Sequence, residues 1–442
     1  MQKRNSYTRY TLRNTHLKNL DLPPFDPERT DYSALELEAY ADILLREDSN
    51  MRPFDEAQPD SPPKILFQEH VDNRWVREVL NQYGVPDTEI TKSQSRDGQT
   101  MYHRCVDFKT EALTQNGWKN IDQLLTGQKI WAYEPNTDSY QWETLVDVFK
   151  DESFSGYLHV LESQQISARI TEGHKWIVAS EWDKSKLKVV QSGSTLKDRH
   201  YIPLARKPSI ISEGYSPLHE LAGWILTDGS YYGTGGMKIY QALHNPKVGA
   251  LKNCLEANYL SANYTSVDRN NVASWHIPES RAREIRSFAP IKTLSSTNMV
   301  DMTHGERESL LHGIVYGDGY TRQSKNTREV CTTKIEEADS IQALCSLLGI
   351  TTSLRTVNNS NAFCPTTHVV YMKEKRGEWA YVRNARQEQE WYEGTIWCPV
   401  VSTGFWLARR NGKVFTTGNT HPEGRKVNSK TQRKRNGASY YR

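Results

Sequence analysis

Residues 397–420 read WCPVVSTGFWLARRNGKVFTTGNT. Three short apolar runs, IWCPVV, FWLARR and KVFTT, are separated by turn residues, as in a series of short strands. The stretch ends in Gly418-Asn419-Thr420, an amide side chain followed by a hydroxyl. Far upstream a similar style of sequence begins at Cys105: residues 105–133 read CVDFKTEALTQNGWKNIDQLLTGQKIWAY. Asn116-Gly117 between LTQ and WKNI predicts a hairpin, because both central residues of a type I′ turn need φ > 0. Further strands are expected over Lys129–Tyr133, Tyr157–Leu161 and Trp176–Ala179. The two ends together predict one β domain with a long insertion between them.

The insertion contains an internal repeat. LAGWILTDG at 221–229 matches LHGIVYGDG at 311–319, with Asp228 and Asp318 in the same frame. Each copy is followed by a strand-like run, MKIYQ or EVCTTK, and then a helix-like run from Pro246 or Glu336. LSANYTSV and ITTSLRTV also correspond, so two copies of one αβ unit are expected. Leu218, Leu221, Ala222, Ile225 and Leu226 form one apolar helix face. Ser216-Pro217 suits the start of that helix. Thr303 and Glu306 make a capping box for the second helix. Gly223 and Gly313 would let the two backbones approach and bring the aspartates together at the helix C-terminal ends.

Before Cys105 the sequence carries no chemical motif. LELEAYADILL after the Ser33-x-x-Glu36 pattern and Val71–Tyr83 predict two helices, joined by a polar, Pro-rich linker over 46–64. Residues 420–442 hold seven Lys/Arg and one Glu, whereas the whole chain nets only +3. This basic tail reads equally as a solvated end or a nucleic-acid contact. Composition is that of a soluble protein, with 37% hydrophobic and 25% charged residues and a mean hydropathy of −0.73. No apolar run is long enough for a membrane span, and the basic N-terminus lacks the apolar core of a secretory signal. Six scattered cysteines without a C-x-x-C pair speak against structural zinc and a disulfide framework. A reducing cytoplasm is expected, bacterial or phage-infected.

The end blocks resemble an intein with an N-terminal cysteine, of phage type. The similarity rests on the Cys105 block, on Thr171-x-x-His174 in SARITEGHKWIV, and on RRNGKVFTTGN before Thr420. It implies a Hint-type β fold and excision of 105–419 with ligation of Arg104 to Thr420. Cys105 would attack the Arg104 carbonyl, Thr420 would accept the acyl group, and Asn419 would cyclise. A thiol of ordinary pKa, about 8.5, is a competent nucleophile for the first step. His174 would assist at the scissile amide and Thr171 would hold the oxyanion. The last block departs from the common pattern: Gly418 stands where a histidine is usual, residues 393–419 contain no histidine, and Cys398 replaces an Asp. Cys398 is a candidate for contact with the N-terminal junction, or a buried strand residue. Asn cyclisation is expected to be slow, with Gly418→His accelerating it wherever space allows.

The repeat resembles a LAGLIDADG homing endonuclease, which implies Mg²⁺ held by Asp228 and Asp318, with Lys292 and Lys334 as basic helpers. It also implies a double-stranded DNA partner, the host gene lacking the insert, read by strand residues such as Lys238, Tyr240, Arg322 and Lys325. Splicing would need no cofactor, no membrane is involved, and the element is expected to be monomeric. The expected architecture is mixed: an all-β Hint-type domain (105–204 and 393–419) interrupted by a two-repeat α+β endonuclease (205–392). A small, mostly helical or disordered host segment (1–104) precedes it, and the basic tail (420–442) follows. Two rival readings stay open: a Hint protein that cleaves without ligating, and a splicing element whose LAGLIDADG domain binds DNA without cutting.

Overall fold

The structure is a computed structural model. It describes residues 105–418 apart from 193–194, 213, 234, 323–326, 359–365 and 374–377, together with four strands within 1–104. Those four strands are Ser6–Thr11, Ser49–Met51, Lys64–Phe67 and Thr91–Gln94, and they form one antiparallel sheet. The expectation of a mostly helical segment did not foresee this sheet, and the two predicted helices lie outside the described residues. Residues 1–102 with 422–442 form one compact unit and 103–421 another.

In the second unit, strands Asp147–Glu162, Ser167–Ile170, Val106–Asp107 and Arg386–Val400 close into a small barrel. Its longest ladder pairs Asp147 with Val400 through to Glu162 with Arg386, broken once near Asp151–Phe154. The boundary expected between 392 and 393 thus lies inside a continuous strand. The chain has already rejoined the β structure at Trp379–Tyr381, which pairs with His200–Pro203. Strands Lys175–Ser180 and Leu187–Gln191 complete that sheet. Trp176, Trp397, Trp406 and Phe415 fill a core common to the barrel and these sheets. At about 25 cal/mol per Å² of buried apolar surface, such residues carry most of the stabilisation.

The hairpin at Asn116 forms, with Leu113 opposite Trp118 and Thr114 opposite Gly117. Its centre is Gln115-Asn116 rather than Asn116-Gly117, because the glycine takes φ +84° while Asn116 stays at φ < 0. This is the type I turn with a following left-handed residue. The Asn-Gly pair with φ > 0 at both residues is Asn411 (48°) and Gly412 (69°), between Phe405–Arg410 and Lys413–Gly418.

The insertion holds five helices among the described residues: α1 (Pro217–Asp228), α2 (Val248–Ala257), α3 (Glu279–Phe288), α4 (His304–Asp318) and α5 (Ile335–Leu347). Ser216 occupies the N-cap position of α1, its hydroxyl turned to His219 Nδ1 at 2.8 Å, with Pro217 in the first turn, and Thr303 and Glu306 make the capping box of α4. Each of α1 and α4 leads into a hairpin, then a helix, then further strands. Gly229–Tyr232 and Gly236–Ala242 follow α1; Gly319–Arg322 and Thr327–Thr332 follow α4. The final pair is short in the first copy, where LSANYTSV contributes only Ser266–Val267, and long in the second, Thr351–Asn358 with Thr366–Lys373.

The second copy is joined to the β structure. Ser353 pairs with Lys413, which makes one ten-stranded sheet running from Gly319–Arg322 to Ser139–Thr144. Ala343 and Leu347 of α5 pack in one apolar cluster with Trp118, Trp131, Leu407 and Val414. Buried Arg409 holds Glu111 through two bonds of 2.6 and 2.7 Å and also binds Asp339 and Gln342 of α5.

Candidate functional site

Two sites emerge. At the first, Cys105 is fully buried at the head of the strand Val106–Asp107. Its backbone N–H donates to the Thr171 hydroxyl at 3.0 Å, and Thr171 N–H donates to the Cys105 carbonyl at 3.1 Å. A turn through Gly173, φ +73°, carries the chain from Thr171 to His174, whose N–H donates to the Thr171 carbonyl at 3.3 Å. The His174 ring is fully buried, edge-on to Trp176. Its Nε2 lies 2.6 Å from the hydroxyl of Thr417, in the last described strand. Cys105, Thr171, His174 and Thr417 thus form one connected chain of polar contacts. The sequence reading missed Thr417. The signal was a pair of threonines, Thr416-Thr417, directly after the apolar Val414 and Phe415; both are completely buried.

Cys398 approaches the same point. Asp107 pairs with Ile396 and Val106 with Trp397, so the next position of the ladder sets Cys105 opposite Cys398. The two cysteines share an apolar cluster with Leu158 and Ile396. Burial, then the adjacent Cys398 thiol, push the Cys105 thiol well above its ordinary value. The expectation of an ordinary thiol is thereby corrected: burial holds the Cys105 thiol in its protonated form. Two residues on, Asp107 is clamped by Arg410, whose Nε lies 3.0 Å from both carboxylate oxygens and whose Nη2 lies 2.9 Å from one.

Gly418 has no room for a side chain. A Cβ there would lie 2.7 Å from the Lys175 carbonyl oxygen and 3.0 Å from the Phe405 ring. The expectation that a histidine at 418 accelerates the last step therefore meets a closed position. Asn419 and Thr420 lie outside the described residues.

At the second site α1 and α4 cross with their backbones in contact. A Cβ at Gly223 would lie 2.4 Å from the Leu310 oxygen, and one at Gly313 2.1 Å from the Glu220 oxygen. The helices end together at Asp228 and Asp318. Burial and then the neighbouring Asp318 carboxylate raise the Asp228 carboxyl above its ordinary value; burial raises that of Asp318. Lys292 and Lys247 oppose the rise at both. Lys292 donates to the Thr227 carbonyl at 2.9 Å, and Lys334 lines the same cleft of about 200 Å³ as Lys292 and Asp318. Lys247 and Gln241 were not foreseen. Lys247 donates to the carbonyls of Gly317 (2.9 Å) and Gly319 (2.7 Å), and Gln241 donates to Asp228 Oδ2 at 2.9 Å. Gln241 was legible as a polar residue in phase with buried Met237 and Ile239. Lys238 and Tyr240 occupy the alternate, more open phase of that strand. The Arg322 side chain and Lys325 are outside the described residues.

Among the described residues no group of three His, Cys, Asp or Glu side chains could hold a metal. Two carboxylates that resist ionisation suit a hard cation that takes its other ligands from water or a phosphate.

No known protein-family profile matches the chain, and no curated protein does. Similar solved structures include a class 3 split intein in a splice-inactive variant, with TM-score 0.30 and 6% identity, covering 72% of this chain and 99% of that one. They also include the homing endonuclease I-DmoI in complex with DNA and Ca, at TM-score 0.27 and 9% identity, over 36% of this chain and 82% of that one. A third is the N-terminal LAGLIDADG domain of DUF199/WhiA, at TM-score 0.26 and 14% identity, over 38% and 82%. No described helix is long and apolar enough to cross a membrane.

Proposed function

We propose that the chain is a self-splicing precursor in which residues 105–419 excise themselves and join Arg104 to Thr420, and that the excised element is also a site-specific DNA endonuclease. The observation that carries the splicing reading is the buried connection from Cys105 through Thr171 and His174 to Thr417, which joins the start of the element to its last strand. Cys105 Sγ attacks the Arg104 carbonyl, and its proton replaces the one that His174 gives up to the departing nitrogen, so the protonation of the site is unchanged overall. The C–N bond breaks, and the freed Cys105 nitrogen takes a proton from His174, leaving a thioester. The Thr171 hydroxyl, accepting from the Cys105 N–H, and the Thr171 N–H, donating to the Cys105 carbonyl, hold that residue still while the bonds exchange. The Thr420 hydroxyl displaces Cys105 from the thioester and forms a branched ester. The Asn419 side-chain nitrogen attacks its own carbonyl, forming a cyclic imide and releasing the Thr420 amine. That amine takes the acyl group from the ester oxygen. Each step exchanges one acyl bond for another, so no cofactor is required.

The endonuclease reading is supported by two aspartates held together by glycine-packed helices. Asp228 and Asp318 would hold Mg²⁺, which when bound supplies an activated water and a counter-charge for the leaving oxygen. Gln241 orients the Asp228 carboxylate, Lys292 and Lys247 lend positive charge, and the strand carrying Lys238 and Tyr240 faces the duplex. The proposed target is the host gene at the codons joining Arg104 to Thr420.

Intact-mass analysis of the expressed chain tests splicing. The ligated product of 1–104 with 420–442 and the free element 105–419 are expected. Cys105→Ala combined with Asn419→Ala leaves only precursor, and ligation in that variant would show the junctions misassigned. Incubating the element with plasmids bearing the empty and the filled site tests homing. Cutting confined to the empty site, dependent on Mg²⁺ and lost in Asp228→Asn, is expected; equal cutting of both plasmids refutes it.

A further inference from the structure

His174 must present a proton to the nitrogen of the Arg104–Cys105 peptide, and a neutral imidazole carries its proton on only one of two nitrogens. The structure assigns Thr417 as the positioning residue that fixes this choice, and it rests on the splicing reading above. The Thr417 hydroxyl and His174 Nε2 are 2.6 Å apart with both residues fully buried, so water does not compete for the contact. With the hydroxyl donating, Nε2 is the acceptor and the ring proton sits on Nδ1. Chemistry at the scissile amide then falls to Nδ1–H.

The surrounding contacts hold the ring where this choice matters. The His174 carbonyl accepts from Ser192 N–H at 2.9 Å, and the Ser192 hydroxyl accepts from Trp176 Nε1 at 2.8 Å. Trp176 in turn packs edge-on to the imidazole. Thr416, next along the strand and equally buried, is committed elsewhere: its hydroxyl donates to the Leu204 carbonyl at 3.0 Å and meets Tyr140 Oη at 2.6 Å. Adjacent threonines of identical burial thus have separate roles, and Thr416 serves as the internal control for Thr417.

The location of Thr417 gives the contact a second consequence. It lies two residues before Asn419, on the strand that must be seated for the C-terminal junction to enter the site. The correct tautomer of His174, and with it the first acyl shift, becomes conditional on the arrival of that last strand. A chain whose C-terminal strand is not yet folded would not cleave itself at Arg104.

The test uses the full chain carrying Asn419→Ala, in which the first step is read as release of residues 1–104 by dithiothreitol. Thr417→Val is expected to slow that release at least tenfold, and Thr417→Ser to remain within threefold of the parent. In parallel, the ¹⁵N shifts of the His174 ring are recorded in an inert full chain carrying Cys105→Ala and Asn419→Ala. Protonation at Nδ1 is expected there, lost or mixed on adding Thr417→Val and retained with Thr416→Val. Protonation at Nε2 in the inert chain with Thr417 intact overturns the assignment, whether or not any variant folds poorly. So does release from Thr417→Val at the parent rate. Should the parent release nothing, it is the splicing reading that falls, while the tautomer in the inert chain still decides the role of Thr417.

Discussion

On the splicing reading, a histidine at residue 418 would stand beside the asparagine that cyclises, and the geometry says the substitution will fail. Even the first carbon of a side chain at Gly418 lies 2.7 Å from the Lys175 carbonyl oxygen, 2.9 Å from Lys175 Cβ and 3.0 Å from Phe405. All three neighbours lie on strands, and two of them, the Lys175 carbonyl oxygen and Cβ, are fixed by the backbone of Lys175–Ser180, so relief means moving backbone, not turning a rotamer. Overpacking of this kind costs about 1–3 kcal/mol. Borne entirely by seating of the final strand, that cost lowers the seated fraction about 5- to 150-fold. Gly418→Ala is expected to slow ligation within that range, and Gly418→His further, with unspliced chain accumulating. A time course of intact masses after a short pulse of expression reads both. Ligation in Gly418→His at or above the parent rate would refute the reasoning, since it would mean that the strand and Lys175 are not in contact at residue 418.

The raised carboxyls of Asp228 and Asp318 hold their protons more tightly folded than unfolded, so they favour the fold at low pH and that contribution is lost as pH rises through their folded values. Asp318→Asn is therefore expected to raise the melting temperature at pH 7, with the gain vanishing below the ordinary carboxylate range; calorimetry at several pH values checks this. Mg²⁺ should raise the melting temperature of the parent and not that of the Asp228→Asn, Asp318→Asn double variant, by mass action on the folded state. Arg410→Met strands the buried Asp107 carboxylate and is expected to cost about 3–5 kcal/mol, read from the denaturant midpoint; an unchanged midpoint would show that the clamp is not formed in solution.

The sequence made the repeat legible because each feature is local: a cap, an apolar face at helical spacing and a small residue at the same offset. Residues 217–228 and 304–318 are helices starting at the predicted caps, with Gly223 against Gly313. The strands of the end blocks were legible for the same reason. What escaped were facts that depend on partners distant in sequence. The Asn116-Gly117 signal read as a type I′ turn, but Thr114 donates its hydroxyl proton to the Gly117 carbonyl and the glycine alone takes φ > 0. Thr417 looked like one polar residue among apolar ones until its partner, 243 positions away, was in place. Lys247 works through backbone carbonyls, which no side-chain pattern announces. The long pairing of 147–162 with 386–400 runs unbroken across residue 392, where the sequence shows only strand-like runs resuming.

The joining of the second copy to the β structure, through α5 at Asp339 and Gln342 and through the Ser353–Lys413 pair of the following strand, bears on how such an element ages. On the endonuclease reading, once every target is occupied cutting gains nothing, and the carboxylates are free to drift. Its scaffold is not equally free. Loss of α5 would open the apolar cluster around Trp118 and Trp131 and leave the carboxylate of Glu111 without Arg409 held in place. On the splicing reading, decay is therefore lopsided: Asp228, Asp318 and exposed side chains such as Lys238 and Tyr240 can be replaced singly without harm to the host. The second repeat persists as a fossil framework, kept folded by the demands of a reaction in which it takes no chemical part.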